Sequence, residues 1–241
     1  MSSTSSDSLS FPRAKRRSVA RSAAYRIQPL LRRVVGTERV LRMLLNVERV
    51  AWRIGFEAAH LKFGDAFFNA SVATTPECLH QWVPPRAKVL DVGCGNGRLE
   101  RLLAGRTESM LGVDYDQAAI RVAQAAGHPP HVRFDVADAR ELDPHGQYDV
   151  VTLIHVLEHI DDPHDLLVRI RRLGQTLIVE VPAFDRCVLN SLRRELGLDF
   201  STDDDHVREY TQPLLQEQLE DAGWTITAWA RGPMSIAALA G

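Results

Sequence analysis

From Lys88 onward, short apolar runs alternate with segments whose apolar positions recur every three or four residues. The runs 88–92, 109–114, 131–135, 148–154 and 176–181 are rich in Val, Ile and Leu, as strands buried on both faces should be. Between them, 97–104, 117–126 and 163–172 read as helices, the last with Asp162 as its cap and Pro163 as its first residue. This alternation predicts an α/β domain on a mainly parallel sheet. Further on, 213–222 reads as a helix, and 225–230 and 235–240 as strands joined by a Gly232-Pro233 turn. So short a connection permits only an antiparallel hairpin, so the sheet should end with one reversed strand.

The first part of the chain follows another pattern. Residues 1–10 are Ser-rich and too polar to form a core, which predicts disorder. A basic segment covers 13–33, and over 38–61 Val40, Leu41, Leu44, Val47, Ala51 and Ile54 trace one face of an amphipathic helix. The plainest expectation is a helix laid on the main domain with its arginines in water. Peripheral contact with an anionic membrane through residues 13–54 and nucleic-acid binding are sharper alternatives. The Arg- and Ser-rich, acid-poor start also resembles an organellar transit peptide, although the helical pattern runs well past the usual length of one.

Charge sharpens this division. The 241 residues carry a formal charge of only −2. Residues 1–56, however, hold 12 Lys/Arg against Asp7, Glu38 and Glu48, leaving 17 basic and 28 acidic residues for the remainder. Two pieces are expected: a basic helical extension over 1–64 and one domain over 65–241. Cys78, Cys94 and Cys187 are odd in number and widely spaced, which fits neither a disulfide framework nor a paired zinc site. A reducing, cytoplasmic setting is expected, with peripheral membrane contact as an option. Arg42, Glu48, Arg49 and Arg53 interrupt the most apolar stretch, so no spanning helix is expected.

The chemistry concentrates at VLDVGCGNG, residues 89–97, where a buried strand passes through Gly93, Gly95 and Gly97 directly into a helix. Glycines there let the backbone turn tightly and approach a ligand. The dinucleotide fingerprint G-x-G-x-x-G would need glycine at 98, where Arg98 stands, which counts against a nicotinamide cofactor. The next strand ends at Asp114, placed to accept hydrogen bonds from both hydroxyls of a ribose, so the ligand should be a nucleoside. After the third strand, DVADA places Asp138 and the backbone of Ala139 where an adenine edge could be read.

In this order, VLDVGCGNG, GVD, DVADA, YDVV and the terminal hairpin resemble the class I S-adenosylmethionine-dependent methyltransferases. HVLEHIDDP, after the fourth strand, resembles the small-molecule branch, including ubiquinone-biosynthesis O-methyltransferases. The resemblance implies a Rossmann-like, doubly wound, seven-stranded sheet with an antiparallel last strand. It implies a donor site with the Gly93 turn at the methionine part, Asp114 at the ribose and Asp138 at the adenine. Asp91, Gly93, Cys94, Gly95, Gly97, Asp114, Tyr115, Asp138, Ala139 and His155 are the donor-binding candidates, Cys94 through its backbone. His155, Glu158 and His159 also match the H-x-x-E-H of inverted zinc proteases, but here the motif starts at the end of a buried strand rather than within one helix.

Methyl transfer requires alignment and exclusion of water, and a base helps when the acceptor is a hydroxyl. His159, starting the next helix, and His206, in the polar segment STDDDHVREYT, are the candidates. Asp203, Asp204, Asp205 and His206 would alternatively suit a divalent ion, although no metal is expected. Arg186, Arg193 and Arg194 would suit an anionic acceptor or simply face water. The expected reaction is transfer from S-adenosylmethionine to a small-molecule or lipid-linked acceptor at oxygen. A nucleic-acid methyltransferase gripping its target through the basic extension and a non-catalytic donor-binding scaffold are the alternatives. The base-holding run Asn-Pro-Pro-Tyr or Asp-Pro-Pro-Tyr is absent, which weighs against nucleic acid.

Overall fold

The computed structural model describes residues 19–64, 75–142, 148–198 and 205–241. The Ser-rich start and Asp203 and Asp204 lie outside them, as do the side chains of residues 19–25 and of Arg186. The chain divides into two compact units, Met1–Trp52 and Arg53–Gly241.

In the first unit, α1 (Val19–Val35) ends at Gly36, whose φ of 90° is open to glycine alone at no steric cost. α2 (Thr37–Phe63) follows and continues past Trp52. Val40 is buried, but Leu44, Val47 and Ile54 of the same stripe are exposed.

The second unit holds α3 (Thr75–Trp82), β1 (Lys88–Val92), α4 (Arg98–Leu103), β2 (Ser109–Asp114), α5 (Gln117–Ala125) and β3 (Val132–Val136). Then come β4 (Tyr148–Ile154), α6 (His164–Ile170), β5 (Gly174–Pro182), α7 (Val188–Glu195), α8 (Gln212–Asp221), β6 (Ile226–Arg231) and β7 (Ser235–Ala240). Among the described residues the strands form one seven-stranded sheet in the order β3-β2-β1-β4-β5-β7-β6. β1 to β5 pair in parallel, and β7 runs antiparallel to both β5 and β6. The reversed strand is thus the last in sequence but lies inside the sheet, where Ile236, Ala237 and Ala238 are buried.

Strand side chains alternate between faces, and neighbouring residues accordingly enter different cores. Leu90, Val151, Leu177 and Val179 join Leu166, Leu167 and Ile170 of α6 and Leu215 and Leu219 of α8. Val89, Val150 and Ile178 join Leu79 of α3, Leu99 and Leu103 of α4, and Ile120 of α5. Strand order reverses at β1, which lies between β2 and β4, and in such sheets the crevice outside the carboxyl ends at this point receives ligands.

Helical periodicity did not reveal α3 or α7, both eight residues long. Glu158 and His159 do not start α6. They lie in a separate 3-10 turn, Leu157–His159, because the position before Pro163 is barred from the helical region. Pro163 precedes the first helical residue of α6, and Asp162 Oδ1 accepts from the His164 amide at 3.2 Å.

Candidate functional site

Gly93, Gly95 and Gly97 all have left-handed backbones, with φ of 77°, 53° and 76°, for different reasons. A Cβ at Gly93 would stand 2.5 Å from Cγ2 of Val156, and one at Gly97 would stand 2.9 Å from the ring of Phe134. Packing alone requires those two. A Cβ at Gly95 would meet nothing within 4 Å, so the turn opens there on unfilled space. The Gly93 and Cys94 amides donate to the Val113 carbonyl on β2, and the Cys94 carbonyl accepts from the Gly97 amide, so both backbone groups of Cys94 are engaged by the chain itself. Burial pushes the Cys94 thiol far up, leaving no thiolate near neutral pH.

Asp114, at the end of β2, accepts from the Gly95 amide at Oδ2 and from the Asp116 amide at Oδ1, both at 2.9 Å. Each carboxylate oxygen retains capacity for a second donor. The Ala137 amide donates to the Asp114 carbonyl at 3.0 Å, so the ends of β1, β2 and β3 meet here. Tyr115 is 85% exposed beside them. Asp138 is held by Arg140, whose Nε lies 3.0 and 3.1 Å from the two carboxylate oxygens and whose backbone amide also donates to Oδ1. Those hydrogen bonds hold the Asp138 carboxyl below its usual range. An adenine would have to share the Asp138 side chain with Arg140. Ala139 is half-buried against the core.

Beneath the turn, Thr152 donates its hydroxyl to the buried Asp91 at 2.5 Å. Glu100, fully buried on α4, lies beside Asp91, and Gly112 leaves room for it: a Cβ there would stand 2.5 Å from Glu100 Oε1. Burial raises both carboxyls, and the charge of Asp91 raises Glu100 further. The floor of the turn therefore retains a proton at neutral pH. Thr152 and Glu100 were not legible as site residues, since Glu100 reads as an ordinary first-turn helix acid.

At the end of β4, His155 takes a left-handed backbone with φ of 58°. Its Nδ1 lies 3.2 Å from Glu158 Oε1 and its Nε2 lies 3.5 Å from Glu180 Oε1, while its amide donates to the Glu180 carbonyl. Burial works against protonation of the ring, but both glutamates outweigh it and push His155 up to about 9. Glu180 was also missed. An isolated acid inside the apolar run of β5 is the signal that would have exposed it.

The two candidate bases meet. The rings of His159 and His206 lie 5.0 Å apart, centroid to centroid, in an edge-to-face arrangement. They are brought together because the Val207 and Arg208 amides donate to the Glu158 carbonyl, fastening the incoming segment onto the 3-10 turn. His206 Nδ1 lies 3.1 Å from Glu209 Oε1, and His159 Nδ1 lies 3.3 Å from the Asp205 carbonyl. One ligand-type atom from each of Glu158, His159 and His206 falls within 4.8 Å of the others, whereas Asp203 and Asp204 of the grouping expected for a cation lie outside the described residues. A cavity of about 400 Å³ adjoins His206, walled by Phe184, Val207 and Leu214 and edged by Arg194, Arg208 and Glu209. Arg194 stacks 5.4 Å from the Phe184 ring, whereas Arg193 is buried and bonded to Asn190, so the paired arginines separate into a pocket residue and a structural one.

A family model described as a methyltransferase domain matches residues 68–228. The chain belongs to the S-adenosylmethionine-dependent methyltransferase family. The ubiquinone biosynthesis O-methyltransferase of Pseudomonas aeruginosa (strain LESB58) is 36% identical over 101 residues, covering 38% of this chain and 44% of that protein. The match thus spans less than half of that relative's length. Among solved structures, a methyltransferase of Methanosarcina mazei aligns with a TM-score of 0.57 at 19% identity, covering 70% of this chain and 97% of that one. The magnesium protoporphyrin IX methyltransferase of Synechocystis PCC 6803, solved with bound S-adenosylhomocysteine, aligns with a TM-score of 0.55 at 20% identity, covering 68% and 78%. These two likenesses concern the fold.

The residues of this chain fit the family's donor. The open face at Gly95 and the remaining acceptor capacity of Asp114 sit together at the switch point, as an adenosyl group with a ribose diol requires. Among the described residues, no helix is long and apolar enough to cross a membrane.

Proposed function

We propose that this methyltransferase moves a methyl group from S-adenosylmethionine to a hydroxyl of a small-molecule or lipid-linked acceptor, with His206 and His159 beside the acceptor oxygen. The observation that carries the reading is the meeting of these two histidines next to an apolar-walled cavity. In it the Gly93–Gly97 turn, Asp91, Tyr115, Asp138, Ala139 and His155 surround the donor, and Asp114 takes its ribose. The donor supplies an electrophilic methyl on a sulfonium, which leaves this chain the tasks of alignment and proton removal.

His206 Nδ1 donates to Glu209, which directs Nε2 to act as the proton acceptor, and the carboxylate stabilises the imidazolium that forms. His159, donating through Nδ1 to the Asp205 carbonyl, presents Nε2 in the same way. Phe184, Val207 and Leu214 keep water from the acceptor oxygen, and Arg194 and Arg208 suit an acceptor with an acidic substituent. The match to ubiquinone biosynthesis O-methyltransferases supports oxygen as the target atom. The test is an untargeted search for metabolites and lipids that gain label from methyl-labelled donor. A labelled hydroxyl compound is the expected product, and label confined to nucleic acid, or none at all from a folded protein that binds donor, would overturn the reading.

A further inference from the structure

The donor and acceptor site leaves α1 unexplained. Ile27, Leu30, Leu31, Val34 and Val35 follow the spacing i, i+3, i+4, i+7, i+8, which lines up one apolar stripe along the helix. A soluble helix hides such a stripe, yet all five side chains are exposed, Leu30 by 64% and Val34 by 77%. Arg26, Arg32 and Arg33, also exposed, lie off the stripe. From Ser8 to Thr37 the chain has eight Lys/Arg and no Asp or Glu. Beyond Gly36, Met43, Val47 and Val50 of α2 are exposed as well.

We propose that α1 is an in-plane anchor for an anionic lipid surface, with Ile27, Leu30, Leu31, Val34 and Val35 entering the boundary between headgroups and acyl chains and Arg26, Arg32 and Arg33 meeting lipid phosphates. An anionic lipid surface satisfies both faces of the helix. Nucleic acid would engage the arginines and leave the apolar stripe in water. A second copy packed stripe to stripe would bring two acid-free basic rims together, at a repulsive penalty. The inference is independent of the acceptor and of the reaction.

The test is co-sedimentation of the full chain with vesicles of phosphatidylcholine alone and of phosphatidylcholine with about one-third phosphatidylglycerol. Binding to the anionic vesicles at least about tenfold stronger, and falling with added salt, is expected. Leu30→Asp with Val34→Asp should abolish it, and Arg26→Gln with Arg32→Gln and Arg33→Gln should weaken it, with an unchanged thermal midpoint showing that each variant is folded. Absence of binding to anionic vesicles, or equal binding by the Asp variant, overturns the proposal. A concentration-dependent dimer lost in that variant, or retention on nucleic acid, without vesicle binding overturns it equally.

Discussion

The amide of Gly95 donates to Oδ2 of Asp114 at 2.9 Å, joining the open point of the first turn to the end of the second strand across nineteen residues. The carboxylate is thereby fixed before any ligand arrives, with acceptor capacity left on each oxygen. Asp114→Ala should weaken S-adenosylhomocysteine binding by about 1–3 kcal/mol, read by isothermal titration. Unchanged affinity in a folded variant would remove Asp114 from the donor site.

The glycines of the turn should respond differently to a methyl group. Gly93→Ala meets Val156 at 2.5 Å on a left-handed backbone, and should cost about 2–4 kcal/mol of stability, with Val156→Ala restoring part of it. Gly95→Ala has open space, so its stability loss should be confined to backbone strain of about 1–2 kcal/mol, with a larger effect on donor affinity. Chemical denaturation and titration of the same variants separate the two effects.

Burial pushes Asp91 up to about 7 and Glu100 up to about 9. The folded chain therefore keeps protons that an unfolded chain releases near pH 4, and stability falls as pH rises from about 4 through about 7 to about 9. His155, raised to about 9, adds a fall of the same sign, but only above about pH 6.5. Between about pH 5 and pH 6.5 the carboxyl pair makes stability fall as pH rises, against an opposite contribution from His128, which burial holds below its usual range. Glu100→Gln should lessen that fall, as measured by the thermal midpoint across that window, and an unaltered slope would count against a raised Glu100 carboxyl.

His206→Ala should lower the rate of methyl transfer by about 10²–10⁴-fold if its imidazole takes the acceptor proton. Donor affinity should stay within about twofold, because the ring lies beside the cavity walled by Phe184 and Leu214 rather than the glycine turn. Glu209→Gln should give a smaller loss of the same rate, since Glu209 holds Nδ1 of His206. Equal rates for the wild type and the His206 variant would exclude His206 as the base.

Where function required a distinctive local pattern, the sequence was informative. The strands 88–92, 109–114, 148–154 and 235–240 coincide with β1, β2, β4 and β7, because buried parallel strands need unbroken apolar runs and a hairpin needs a short turn. Helices of eight residues, such as α3 and α7, carry too few turns for periodicity to show. Glu180, Glu100 and Thr152 escaped notice because their roles depend on partners on other elements.

The sequence alone determined the layered α/β fold, the three-glycine turn after β1, the carboxylate of Asp114 at the end of β2 and the uneven distribution of charge along the chain. All of these follow from local backbone freedom, apolar periodicity and charge, which the order of residues specifies directly. Tertiary structure decided the rest: β7 lies between β5 and β6, His159 faces His206 across 46 intervening positions of chain, and a carboxyl pair shares a buried pocket beside Gly112. Side-chain proximity and burial arise only when distant segments pack, and the same packing sets which groups keep their protons.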